Sequence, residues 1–198
     1  MAIAQRLSAT FLKAVRLRAR LRQHLFSRLA APAFAAFGRH SALEPPVRLD
    51  GEERIVIGDE VWVGAGSWLH TLGAGVLEIG DGCRIAGNCT LAAAAWVRLG
   101  SDVLLARGVY VADHAHAFED PRFPVLAQGI DRVAPVEIGD GAWLGEHVVV
   151  CPGVRIGRGA VVGANSVVTA DIPDRCVAAG APARILRDLD IDLDNLAA

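Results

Sequence analysis

The chain has 198 residues, enough for one well-packed domain and an appended arm; 53% are hydrophobic, yet no apolar run reaches the ~18 residues of a membrane-spanning helix. Twenty basic residues stand against 22 acidic ones, and they divide unevenly: residues 1–43 hold eight Arg or Lys and no acid, which leaves the remainder at a net −10. An acidic body and an arm with few aromatics exclude a nucleic-acid-binding protein.

Residues 1–38 read as a helical arm. Ile3, Leu7, Phe11, Leu12, Val15, Leu17, Leu21, Leu25, Phe26 and Leu29 recur at mixed three- and four-residue steps. Arg6, Lys13, Arg16, Arg18, Arg20, Arg22 and Arg28 occupy much of the rest, and Pro32 interrupts the pattern. A basic amphipathic helix suits the surface of an anionic membrane, and it equally suits packing against an acidic solenoid or a neighbouring subunit. The N-terminus lacks the compact apolar stretch and cleavage site of a secretory leader, which predicts a cytoplasmic protein, peripheral on the inner membrane face if the arm meets lipid. Glu44-Pro45-Pro46 reads as a stiff linker, so residues 1–46 are predicted as arm and linker.

From Val47 a six-residue period begins. It is clearest over residues 138–169, where an aliphatic residue returns at Ile138, Leu144, Val150, Ile156, Val162 and Val168. Four places after each comes a small or branched residue: Ala142, Val148, Val154, Ala160, Ser166 and Ile172. A hexapeptide period means a β-helical solenoid, with three hexads to a coil and both positions facing inward. Earlier hexads start at Ile57, Val63, Ile79, Ile85, Leu91, Leu99, Leu105 and Val111, with slips at residues 70–78 and near Val97. Cys83 and Cys89 fall at the small inward position, where a thiol acts as a small apolar group; with Cys151 and Cys176 they form no CxxC pair. Neither a disulfide framework nor an oxidising compartment is indicated.

The period fails from Ala117 to about Val133, directly after His114 and His116, and a loop of that length in a regular solenoid is expected to be functional. The solenoid is therefore predicted over residues 47–187, with an extruded loop at 117–135 and an acidic tail at 188–198 that carries Asp188, Asp190, Asp192 and Asp194.

Three motifs carry a resemblance. His116-Ala-Phe-Glu-Asp-Pro opens the loop, and Ala134-Pro-Val-Glu-Ile-Gly-Asp-Gly-Ala-Trp143-Leu-Gly re-enters the coil. Val162-Gly-Ala-Asn-Ser-Val-Val-Thr-Ala-Asp-Ile-Pro is followed by Ala178-Ala-Gly-Ala-Pro-Ala-Arg184-Ile-Leu-Arg187. With these, the chain resembles the hexapeptide-repeat acyltransferases, nearest the sugar and polysaccharide O-acetyltransferases of galactoside, maltose, nodulation-factor and colanic-acid type. The resemblance implies an all-β fold, a left-handed parallel β-helix. It further implies a homotrimer with active sites between neighbouring solenoids, acetyl-CoA as co-substrate along the C-terminal coils, and a histidine general base, with no metal expected.

By that resemblance His116, at the sixth position of its hexad, is the favoured base. His114 faces the same cleft, and Asp113 either orients an imidazole or makes a corner turn. Trp143 matches a position near acceptor and pantetheine, or else props the loop; Phe118 is the aromatic that starts the loop. Glu146, Ala164 and Thr169 match coenzyme-contact positions, and Arg184 and Arg187 suit nucleotide phosphates unless they form only a solvated face. The galactoside enzymes hold sugar hydroxyls on coils ahead of the base, where this chain has Ala92-Ala-Ala-Ala95; Asn88 remains there, as acceptor ligand or corner residue. A large, lipid-linked or polymeric carbohydrate acceptor follows. Three readings compete: an antibiotic acetyltransferase of the same fold, a γ-type carbonic anhydrase, and a non-catalytic trimeric scaffold. The carbonic anhydrase needs zinc ligands five residues apart, whereas His114 and His116 are two apart.

Overall fold

The computed structural model describes residues 2–190. Helix α1 (Ala2–Ala30) and a 3-10 turn (Ala31–Ala33) lead into about seven coils of a left-handed parallel β-helix. Each coil gives one short strand to each of three parallel sheets. Sheet A runs from Ala36–Phe37 to Arg155–Ile156, and sheet B from Ala42–Leu43 to Val161–Val162. Sheet C stacks Arg48–Asp50, Trp68–Thr71, Thr90–Ala93, Tyr110–Ala112, Val149–Val150 and Val167–Val168. Sheet B ends in an antiparallel hairpin, Cys176–Gly180 with Ala183–Asp188.

The hexad explains the core. Ile57, Leu69, Ile79, Leu91, Leu105, Ile138 and Leu144 are each at most 1% exposed, and the small inward positions fill the space between them. Several of those small residues are polar and satisfied. Cys83 and Cys89 donate from Sγ to the carbonyls of Gly100 (3.0 Å) and Ala106 (3.2 Å), each in the following coil. At the corners between sheets A and B, Gly-Asp pairs form a ladder. The Asp81 carboxylate accepts the Asp59 N–H (2.7 Å), and that of Asp140 accepts the Ser101 N–H (2.9 Å). A Cβ at Gly58 would stand 2.3 Å from Asp81 Oδ1, so the carboxylate of one coil requires the glycine of the coil before.

The solenoid begins at Ala36, two strands earlier than the predicted start at residue 47. Ala36–Phe37 pairs with Val56 and Ile57, and Ala42–Leu43 with Trp62 and Val63, so residues 44–46 form a corner within the first coil and not a linker. Phe37, Leu43 and Leu49 are a six-spaced set, with the Pro45-Pro46 bond cis between the last two. The helix likewise stops at Ala30, short of residue 38, because Pro32 and the extended Phe34 turn the chain into that coil. At the other end Asp188 closes the hairpin and Asp190 meets Arg175 at 3.0 Å; Asp192 and Asp194 lie outside the described residues.

The last turns of α1 touch the solenoid. Phe26 and Ala30 pack on the core, and Ser27 Oγ accepts the Leu43 N–H (2.9 Å). Leu17, Leu21, Leu25 and Leu29 fall on the opposite side of the helix and are 59–74% exposed. No helix among the described residues is long and apolar enough to cross a membrane.

Candidate active site

The loop leaves the solenoid where sheet C turns toward sheet A. Asp113 governs that corner. Its side chain is fully buried; Oδ1 accepts the Ala94 N–H, and Oδ2 accepts those of Ala95 and Trp96, all at 2.7 Å. Its backbone carbonyl accepts the Ala134 N–H (2.8 Å), which ties the returning end of the loop to the departing end. Above this clamp Ala115–His116 and Ile130–Asp131 form an antiparallel ribbon, and the short helix α2 (Val125–Gln128) closes the loop. Gln128 donates to the carbonyls of Asp120 and Phe123, both at 2.9 Å, and holds the loop in shape.

Both histidines line one cleft of about 330 Å³ with Tyr110, Ala112 and Cys151. His114 donates from Nδ1 to Asp113 Oδ1 (2.9 Å), and its side chain is only 12% exposed. His116 is exposed at the mouth, with Nδ1 3.3 Å from the Gly129 carbonyl. A carbonyl oxygen can only accept, so this contact places the proton on Nδ1 and leaves the lone pair on Nε2, as a general base requires. Burial raises the Tyr110 hydroxyl above its ordinary range. Asp113 therefore contacts His114 and not His116, and most of its hydrogen bonds serve the corner.

The other anticipated residues are dispersed. Trp143 is exposed on sheet B, a different face of the solenoid from the histidine cleft. The strand register carries its column through Val161 and Val177 to Arg187. Arg184 sits on the same terminal hairpin, opposite Ala179 and exposed. Glu146 and Ala164 stack one above the other at the corner between sheets B and C, and Thr169 is exposed at the end of the last sheet C strand. Asn88 takes a corner position with φ 63°, its carboxamide over Gly66; that backbone role accounts for it, and it does not reach the cleft. Phe118 is exposed in the loop, with the Arg132 guanidinium 5.3 Å from its ring. Among the described residues no group of three or more His, Cys, Asp or Glu side chains could hold a metal ion.

Two features escaped the sequence reading. Cys151 joins the histidines in the cleft, while Cys83, Cys89 and Cys176 are buried. Burial pushes the Cys83 thiol up to about 11 and raises that of Cys89. Iodoacetamide at pH 8 should therefore label Cys151 first in the native protein, and peptide mapping that found Cys83 or Cys89 modified at equal rate would contradict the packing. The second is a cluster two coils ahead of the cleft, on sheet C. Trp68 stacks on His70 (centroids 4.7 Å apart, planes at 10°), carries the Arg48 guanidinium 4.0 Å from its ring, and donates from Nε1 to Asp50 Oδ2 (2.7 Å). Its signal was an aromatic, a cation and two ionisable groups at alternating strand positions.

Fold and site together define a hexapeptide-repeat transferase. A family model described as bacterial transferase hexapeptide (six repeats) matches residues 135–170, and one described as hexapeptide repeat of succinyl-transferase matches residues 54–93. WbbJ of Escherichia coli (strain K12), named for O-acetyl transfer in lipopolysaccharide biosynthesis, is 37% identical over 148 residues, which cover 71% of this chain and 74% of WbbJ. The chain belongs to the hexapeptide-repeat acetyltransferase family. It spans under half the length of some other relatives, such as 46% of an acetyltransferase relative in Mycobacterium tuberculosis. Among solved structures, galactoside acetyltransferase in complex with coenzyme A is 30% identical, with a TM-score of 0.61 over 84% of this chain and 72% of that one. The Bacillus cereus N-acyltransferase AntD superposes with a TM-score of 0.72 over 86% of this chain and 93% of its own; at 20% identity that likeness is one of fold.

Proposed function

We propose that the protein transfers the acetyl group of acetyl-CoA to a hydroxyl of a carbohydrate, with His116 as general base. The observation that carries this reading is the His116 imidazole, accessible at the cleft mouth with its tautomer fixed by the Gly129 carbonyl. A sugar hydroxyl is a poor nucleophile at neutral pH. His116 Nε2 takes its proton as the oxygen bonds to the thioester carbonyl carbon; the C–S bond then breaks, and the imidazolium returns the proton to the departing thiolate. The coenzyme lies along the outward column of sheet B, with its pantetheine at Trp143 and its phosphates toward Arg184 and Arg187; Glu146, Ala164 and Thr169 border that track. WbbJ, named for lipopolysaccharide, and galactoside acetyltransferase support a glycan or glycolipid acceptor.

The histidine cleft and Trp143 sit on different faces of one chain, which supports a homotrimer in which one subunit's cleft meets a neighbour's sheet B. The loop fits the same assembly, since Phe118, Phe123 and Leu126 stand 56%, 56% and 89% exposed. The test is thiol release from acetyl-CoA with a panel of sugars and lipopolysaccharide-derived glycans, alongside sedimentation. Absence of glycan-dependent release with every acceptor would overturn the transfer reading, and a monomer would overturn the assembly.

The arm belongs to this reading as a peripheral membrane contact, on the inner face where lipid-linked acceptors are presented. The leucine stripe of α1 points away from its own solenoid, and the helix carries seven cations and no acid. A second copy of the helix would bring like charges together, whereas an anionic lipid surface complements them, by ~1 kcal/mol per Lys or Arg near the surface. The protein should float with vesicles containing phosphatidylglycerol and not with pure phosphatidylcholine, and Leu21→Glu with Leu25→Glu should abolish flotation. Equal binding of the double variant would remove lipid from the account.

A further inference from the structure

The outer face of sheet C carries a second polar cluster beyond the histidine cleft. Side chains alternate along a strand, so Asp50, His70, Ala92 and Ala112, which are paired in register, form one outward column. Arg48, Trp68, Thr90 and Tyr110 form the column beside it. Ala92 and Ala112, 5% and 1% exposed, lie between the histidine cleft at one end and the Arg48–Trp68–His70 stack at the other. From the Tyr110 strand to the Arg48 strand is three inter-strand steps, or ~14 Å. That is longer than a single sugar needs.

The far end is built for hydroxyls. Trp68 contacts both His70 and Arg48 through its ring, so the indole fixes its neighbours in place. Asp50 Oδ2 accepts from Trp68 Nε1 and from Arg48 Nε (2.9 Å), while no protein donor among the described residues meets Asp50 Oδ1. The His70 ring nitrogens also have no protein hydrogen bond among the described residues, although the ring is partly buried. Burial lowers its pKa, against the opposing pull of Asp50 and with smaller contributions from His114 and Arg48, which favours the neutral ring with one donor and one acceptor. Carboxylate, guanidinium and neutral imidazole held on a rigid aromatic are the groups that bind vicinal hydroxyls.

We propose that this face of sheet C binds the acceptor, and that Arg48, Asp50 and His70 form a remote subsite for an oligosaccharide whose acetylated sugar lies at the histidine cleft. The proposal rests on the acetyl-transfer reading and supplies the acceptor ligands that Ala92–Ala95 cannot. In the acetylation assay, His70→Ala and Asp50→Asn should raise KM for oligosaccharides released from lipopolysaccharide by mild acid about tenfold. KM for acetyl-CoA and kcat should stay unchanged, and so should KM for a monosaccharide acceptor. A general loosening of the fold would move all of these together, and that result would overturn the subsite, as would an unchanged oligosaccharide KM.

A second measurement needs no turnover. Saturation-transfer NMR with the same oligosaccharides and no acetyl-CoA should detect binding to wild type that is weakened in both variants. Binding without turnover would leave the subsite standing while the transfer reading fell; no binding to wild type, or equal binding to the variants, would overturn the subsite.

Discussion

His116→Ala should lower the rate of acetyl transfer by about 10²–10⁴-fold, the range expected for loss of a positioned general base. KM for acetyl-CoA should change little, because the imidazole stands at the foot of the loop and not on the sheet B column assigned to the coenzyme. The physical case is the tautomer: the Gly129 carbonyl can only accept, so Nδ1 carries the proton and Nε2 is left with the lone pair that the proposed base needs. His114→Ala should cost less. Its Nδ1 is held equally well, but its side chain is 12% exposed and sits inside the cleft, where it meets a bulky acceptor less readily. Steady-state thiol release on the two variants decides between them. A dead His114→Ala beside an active His116→Ala would move the base to the Asp113–His114 pair and leave the rest of the site as described.

The largest effect on stability should come from Asp113→Ala, about 2–5 kcal/mol read as a lower urea midpoint at unchanged m. The substitution strips the acceptor from three successive N–H groups, Ala94, Ala95 and Trp96, which have no other place to bond in that corner. Unpaired N–H groups cost more than the net worth of the bonds they lose. Asp113→Asn keeps one acceptor oxygen and should lose less. Both should also weaken catalysis, since the same residue sets where the loop departs and where His114 points. An Asp113→Ala protein with a wild-type midpoint would show that the corner is held by something else.

The fold was legible because each hexad reports its own burial. Ile138, Leu144 and Val150 could be placed inside from spacing alone, and each is fully buried. The first two strands were missed because Phe37 and Leu43 stand beside Arg39-His40 and Pro45-Pro46, residues that read as arm and linker. The loop and its two histidines were legible as the place where the period stops. The clamp at Asp113 was not: its partners lie 17–19 residues upstream and offer only the backbone of alanines and a tryptophan, which carries no sequence signal. Trp143 was read by motif as near acceptor and pantetheine, and counting three hexads to a coil puts it on the next face of the same chain, where the strand register has it.

Beneath the loop the solenoid closes without a slip. Val97 to Leu99 pairs with Val136 to Ile138, and Leu104 pairs with Trp143, as though the inserted residues were absent. Elsewhere neighbouring coils meet across about twenty residues, as in Leu77 with Val97; here the separation is 39. Loop-closure entropy grows only logarithmically, so a doubling of that gap costs about 0.6 kcal/mol. In a linear array stabilised by nearest-neighbour contacts, that penalty falls on one junction and spreads no further. The inserted segment can thus lengthen, shorten or be exchanged as a cassette while the stack above and below keeps its register and the core needs no refitting.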